Sequence, residues 1–126
     1  MKIVQVICQI LRLEALENKT ASSQDAVLVR VLTDTGLEGV GEADSSPEVV
    51  KAIIDAPFSH NVACGLREML IGENPLETER IWKKLHRGSQ YFGRTSVTVS
   101  AISAVDLALW DIKGKHYDEP IHKLLG

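Results

Sequence analysis

Four histidines, two cysteines and a pair of aspartates in an apolar run are the residues of this 126-residue chain whose chemistry could reach beyond packing. His60, His86, His116 and His122 include no pair at the i, i+4 spacing that sets two imidazoles on one helical face, and no cysteine lies close in sequence. Surface or structural histidines are therefore expected over a metal site. Cys8 and Cys64 stand alone in apolar or mixed surroundings, so no disulfide framework is expected. Asp106 and Asp111 interrupt the apolar segment Ser96 to Lys113, and a carboxylate carried into a core needs a partner. Asp111 has Lys115 one turn on, at the i, i+4 spacing of a helical ion pair. Asp106 is expected to accept hydrogen bonds from an arginine or a backbone amide. Gly36, Gly39 and Gly41 fall before and within a strand-like segment, not between a strand and a helix, so they read as turn and close-packing positions and not as a phosphate loop.

Two polar stretches carry groups suited to a hydroxylated anion. Leu16 to Asp25 is a run of polar and small residues that cannot bury a face and must be a loop; within it Lys19, Thr20, Ser22 and Ser23 offer a cation and hydroxyls. Asp44-Ser45-Ser46 forms a second polar junction. Pro47 and Glu48 behind it, with Ser46 as N-cap, open a helix expected to run to about Ala56.

The elements that position these stretches follow from periodicity. Lys2 to Leu13 reads as a first strand with Ile3, Ile7 and Leu11 on one parity. Ala26 to Thr33 is a dense β-branched strand, Asp34-Thr35-Gly36 supplies a tight reversal, and Leu37 to Ala43 is a glycine-rich third strand, giving an antiparallel meander. Small helices then follow. Val62 to Leu70 is an apolar segment, Pro75 is expected to open a helix carrying Ile81, Trp82 and Leu85, and Ser96 to Lys113 is a helix apolar on nearly every side, which other elements must cover.

Composition bounds the function. Charged residues make up 25% and hydrophobic residues 44%, as in a globular protein. The net charge of −3 provides no basic field for nucleic acid or anionic lipid, so neither is an expected partner. The amino terminus alternates apolar and polar residues, unlike a signal peptide, and no window approaches the roughly 18 consecutive apolar residues of a membrane span. A cytoplasmic setting is expected. The length also excludes a complete eight-stranded parallel barrel, which needs about 200 residues or more.

Ala101-Ile102-Ser103-Ala104-Val105-Asp106-Leu107-Ala108-Leu109-Trp110-Asp111-Ile112-Lys113-Gly114-Lys115, followed by Pro120 and Leu124-Leu125-Gly126, resembles the signature of the mandelate racemase and muconate lactonizing branch of the enolase superfamily. Gly39-Val40-Gly41-Glu42, Gly72-Glu73-Asn74-Pro75 and Tyr91-Phe92-Gly93-Arg94 occur in that family's order, so the resemblance covers nearly the whole chain.

The resemblance implies an α+β fold, a three-stranded antiparallel meander followed by a helical bundle. Residues 1–90 would form a capping domain, and residues 91–126 a linker and helical entry to a (β/α) barrel that this chain does not contain. It implies proton abstraction α to a carboxylate, assisted by Mg²⁺, with bases and metal ligands on the barrel; no catalytic or metal-binding residue is carried onto this sequence. The cap's part is two loops over the barrel mouth that exclude water and select substrate. By position these are Leu16 to Gln24, with Lys19, Thr20, Ser22 and Ser23, and the Asp44-Ser45-Ser46 junction, with Asp44 and Ser45 as substrate-facing candidates. Their polarity suits a polyhydroxy carboxylate over an aromatic acid. The implied function is the front part of an acid-sugar dehydratase or racemase-like enzyme, a homo-oligomer when complete. Its partners are the barrel domain and a small carboxylate substrate. A stand-alone, non-catalytic remnant that binds a protein partner through its long helix is the alternative. Glu42 reads as a structural hydrogen-bond acceptor, with cap–barrel contact as its other reading, and Arg94 as a solvent-facing or structural arginine near that boundary.

Overall fold

The first strand, β1 (Ile3–Arg12), changes the face it buries within its first three residues. In the computed structural model, which describes residues 1–15, 18, 24–60 and 63–126, Ile3 pairs with Thr33 and Gln5 with Leu32. Val4 is therefore an extra residue, a β-bulge that inverts the alternation. Ile3, Val6 and Cys8 point into the core while Leu11 stays half exposed. The expected parity of Ile3, Ile7 and Leu11 is thus corrected: one inserted residue moves every later side chain to the opposite face.

β2 (Asp25–Thr33) lies between β1 and β3 (Glu38–Ala43), all antiparallel. Gly36, with φ +83°, makes the β2–β3 reversal, and Thr33 clamps it through its backbone N–H and hydroxyl to the Leu37 carbonyl. The α+β meander-then-helices architecture is the expected one. Val27, Val29 and Val31 of β2 are completely buried on the inner face.

Among the described residues four α-helices and one 3-10 turn (Ser89–Tyr91) precede the short carboxyl-terminal helix. α1 (Pro47–Asp55) begins as expected at Pro47, although the Ser46 hydroxyl makes no capping hydrogen bond. α2 (Leu66–Leu70) is a short, largely buried turn-and-a-half. α3 (Thr78–Gly88) starts three residues later than Pro75 suggested. The Asn74 side chain accepts the Leu76 N–H at 3.2 Å and its carbonyl accepts the Glu77 N–H at 3.1 Å; this local turn holds Pro75 and Leu76 outside the helix. α4 (Val97–Tyr117) is 21 residues long and runs one turn past Lys113, ending where Asp118 adopts a left-handed conformation and the Glu119 N–H returns to the Gly114 carbonyl. α5 (Ile121–Leu125) follows Pro120.

α4 lies across the inner face of the sheet, chiefly on β3. Ala101, Ile102, Ala104, Val105, Ala108, Leu109 and Ile112 are buried there, together with Val50 and Ile54 of α1 and Ile81 and Leu85 of α3. The helix is covered on one side, and Leu107 on its far side is 53% exposed. Cys8 and Cys64 are buried free thiols, and burial pushes the Cys8 thiol up to about 11. No helix is long and apolar enough to cross a membrane among the described residues.

Candidate functional site

Strand register fixes where the polar segments meet. Arg12 pairs with Asp25 and Ala43 with Val27, so β1 and β3 both end beside the start of β2. The described residues that follow them, 13–15 and 44–46, therefore leave the sheet at the same end. α4 runs antiparallel to β3, because Gly39 lies against Ala108 and Ile112 while Gly41 lies against Ala104. Its amino terminus reaches that end too.

One side chain ties the two segments together. Arg12 Nη2 stands 3.3 Å from Asp25 Oδ2, at the start of β2, and 3.3 Å from Glu48 Oε1, in the first turn of α1 behind residues 44–46. Nothing in the sequence pattern marks Arg12, since its partners are 13 and 36 residues away.

Between the end of β3 and the start of α4 lies an open basin of about 600 Å³, lined among others by Glu42, Asp44, Arg94, Ser96, Ser100 and Ser103. Ser96 holds φ 55° and ψ −129°, a conformation nearly confined to glycine that costs about 1–3 kcal/mol. Its carbonyl accepts the N–H groups of Val99 at 2.9 Å and Ser100 at 3.2 Å, which starts the helix without use of its hydroxyl. Ser96, Ser100 and Ser103 recur at i, i+4 and i+7, so their hydroxyls share one face. That stripe of serines in an otherwise apolar helix is the sequence signal that would have found this wall.

The candidate residues divide accordingly. Asp44 lines the basin, whereas Ser45 is half-buried and is not among its described lining. Lys19, Thr20, Ser22 and Ser23 lie outside the described residues. Glu42 is exposed in the basin wall and accepts no hydrogen bond from a described residue, so its expected structural role is corrected: its carboxylate leaves the end of β3 on the face away from α4. Arg94 is exposed beside it. Chemically the basin sets the Arg94 guanidinium and three serine hydroxyls beside the Asp44 carboxylate. This can hold a hydroxylated anion by several hydrogen bonds. Among the described residues no three His, Cys, Asp or Glu side chains come together to hold a metal ion.

The aspartates of α4 behave differently from each other. Asp111 Oδ2 accepts the Val40 N–H at 2.9 Å and the Lys115 ammonium at 2.7 Å, the expected i, i+4 pair. Lys115 also reaches the Glu38 carbonyl at 2.8 Å, so the pair staples α4 to β3. Asp106 has no hydrogen-bond or ion-pair partner among the described residues, and burial raises its carboxyl above the usual range. The expected arginine or amide partner is absent there because Asp106 faces the α3–α4 cleft and not the sheet.

Residues 3–126 match the family model of the mandelate racemase / muconate lactonizing enzyme N-terminal domain. The chain is 39% identical over 107 residues to a D-galactonate dehydratase family member of Pseudarthrobacter chlorophenolicus, covering 85% of this chain and 24% of that protein. It is 36% identical over 107 residues to a D-mannonate dehydratase of a Sphingomonas species, covering 85% of this chain and 25% of that protein. Among solved structures, the 3,6-anhydro-D-galactonate cycloisomerase from Zobellia galactanivorans superposes with a TM-score of 0.83 at 29% identity, covering 100% of this chain and 32% of that one. The chain thus spans about a quarter of the length of the dehydratases it matches. With a family model that takes in the meander, the helices and the long α4 segment in a single match, the chain belongs to the mandelate racemase / muconate lactonizing enzyme family of the enolase superfamily, as its N-terminal domain.

Proposed function

We propose that this chain is the capping part of an acid-sugar enzyme, lying over a catalytic barrel and shaping the site in which a proton is abstracted α to a sugar carboxylate. The observation that carries the reading is that the end of β1, residues 44–46 behind β3 and the serine-lined start of α4 all lie at one end of the sheet. A rim of this kind makes its binding contribution by enclosing substrate and displacing water, not by bond making. The dehydratases and the cycloisomerase to which the chain is similar support a polyhydroxy carboxylate as the substrate class. In this reading Arg94 and the serine hydroxyls of the basin, with Lys19, Thr20, Ser22 and Ser23, meet the substrate's oxygens. Catalytic bases and Mg²⁺ belong to the barrel.

The test is a chimera in which residues 3–126 replace the corresponding part of the Sphingomonas D-mannonate dehydratase, assayed on a panel of acid sugars beside its parent. The expected result is a folded enzyme whose ratio of kcat/KM between sugars departs from the parent's. Replacing Lys19, Thr20, Ser22 and Ser23 by alanine, or Asp44→Ala separately, should shift that ratio again, by about tenfold or more where a hydroxyl contact is lost. A folded chimera with the parent's substrate profile, unaltered by both changes, would show that this domain does not select substrate.

A further inference from the structure

The cleft between α3 and α4 holds a carboxylate that the proposed capping role does not use. Asp106 is half-buried there, with no hydrogen-bond or ion-pair partner among the described residues. Trp82 of α3 and Trp110 of α4 flank it, and Thr78, Glu79 and Lys83 complete a cavity of about 230 Å³. An ionised carboxylate that has lost part of its hydration costs free energy until a cation or donor replaces the water. Indole rings attract such cations through their quadrupole, and Trp110 already carries the Lys113 ammonium 4.6 Å from its ring centre. Of the groups that line the cleft, the Lys83 ammonium pairs with Glu79 at 3.8 Å and the Trp82 ring stacks on His86. The cavity is smaller than the roughly 300–1,000 Å³ of pockets that engulf a whole ligand, so it suits a head group.

We propose that this cleft is a receptor for one alkylguanidinium or alkylammonium group, with Asp106 accepting its hydrogen bonds and Trp82 and Trp110 forming its walls. Planar guanidinium fits best, since it can pair with both carboxylate oxygens while stacking on an indole. Such a group reaches the cleft either on a free small molecule or as an arginine or lysine side chain of another polypeptide segment.

Nuclear magnetic resonance of the ¹⁵N-labelled 126-residue chain resolves the two indole N–H signals and tests this directly. Ethylguanidinium and N-acetyl-argininamide are titrated in turn at constant ionic strength. Saturable shifts of both indoles are expected, with half-saturation near the millimolar range, and Asp106→Asn should weaken binding by about tenfold or more while leaving the rest of the spectrum folded. Binding of ethylguanidinium identifies a site for free cations; binding of N-acetyl-argininamide alone identifies a side chain presented by a polypeptide. Three results would overturn the proposal: no saturable shift with either probe, equal binding by Asp106→Asn, or binding that appears only in Lys83→Met, which would make Lys83 the occupant.

Discussion

Gly41 of β3 and Ala104 of α4 touch backbone to backbone: a β-carbon on Gly41 would stand 1.9 Å from the Ala104 carbonyl oxygen. Gly39 repeats the contact one helical turn on, against the Ala108 carbonyl at 2.0 Å. Small residues on both partners let the helix settle onto the strand, and Ala101, Ala104 and Ala108 are completely buried as a result. That closeness sets the start of α4, with Ser96, Ser100 and Ser103, beside the end of β3 and Asp44. A larger gap would leave the basin without its serine wall.

Gly41→Ala should accordingly be severe. The added carbon meets backbone that cannot rotate away, so helix and sheet must separate, at a cost of at least about 3 kcal/mol. Gly36→Ala meets no atom within 4 Å but keeps a φ of +83°, and should cost only about 1–2 kcal/mol. Urea unfolding of both variants checks the order; a Gly41 variant as stable as the Gly36 variant would contradict the close approach.

Much of this arrangement is readable in the sequence, for physical reasons that differ by element. The β2 strand and the Gly36 turn follow from local chemistry, and the glycines at 39 and 41 announce close packing because nothing else explains them in a strand. The parity of β1 does not follow, since the Val4 bulge is imposed by pairing with β2 and has no residue of its own to mark it. The delayed start of α3 depends on an Asn74 turn that competes with a helix-opening proline. Arg12 and Asp106 escape for a third reason: what matters is which distant groups they meet or fail to meet. Asp111 and Lys115, four residues apart, are found at once.

Glu73 should make stability depend on acid pH. Arg80 and Lys84 both bond its carboxylate, Lys84 at 2.6 Å, and hold it below the usual carboxylate range. Its own backbone carbonyl accepts the Ile3 N–H at 2.9 Å, beside the bulge. Because the folded state binds this proton less readily than the unfolded state, the stabilisation is present above the ordinary glutamate value and is lost as pH falls through the lowered one. Glu73→Gln should be less stable than wild type by about 1 kcal/mol at neutral pH, the partners being half exposed. The gap should close in acid. A constant gap across pH in thermal melts would assign the effect to packing and not to charge.

Asp106 predicts the opposite slope. Burial without a partner raises its carboxyl, so the folded state binds the proton more readily than the unfolded state. Its contribution is then fully favourable below the ordinary aspartate value and is lost as pH rises through the raised one. Asp106→Asn should therefore melt higher than wild type at neutral pH, and the advantage should vanish near about pH 3, where both side chains are neutral. An asparagine variant that melts lower at neutral pH would mean that the carboxylate is paired within the chain.

Arg12 is expected to act on the rim's position more than on the fold. Each of its contacts, to Asp25 and to Glu48, is 3.3 Å long and its side chain is 41% exposed, so Arg12→Met should cost no more than about 1 kcal/mol. Yet the same guanidinium joins the start of β2 to the first turn of the helix behind residues 44–46. Releasing it lets the two segments move independently, and a displaced positioning group can cost far more in rate than in stability. In the chimera with the D-mannonate dehydratase barrel, Arg12→Met should lower kcat/KM by about tenfold, mostly through KM, because capture and not the proton transfer is disturbed. Faster hydrogen exchange at residues 44–46 should accompany it. Both contacts come from the one nitrogen Nη2, so Arg12→Lys, whose single ammonium also carries several donors, should recover much of the loss. Unchanged KM and exchange in a folded Arg12→Met variant would show that the two segments are positioned without it.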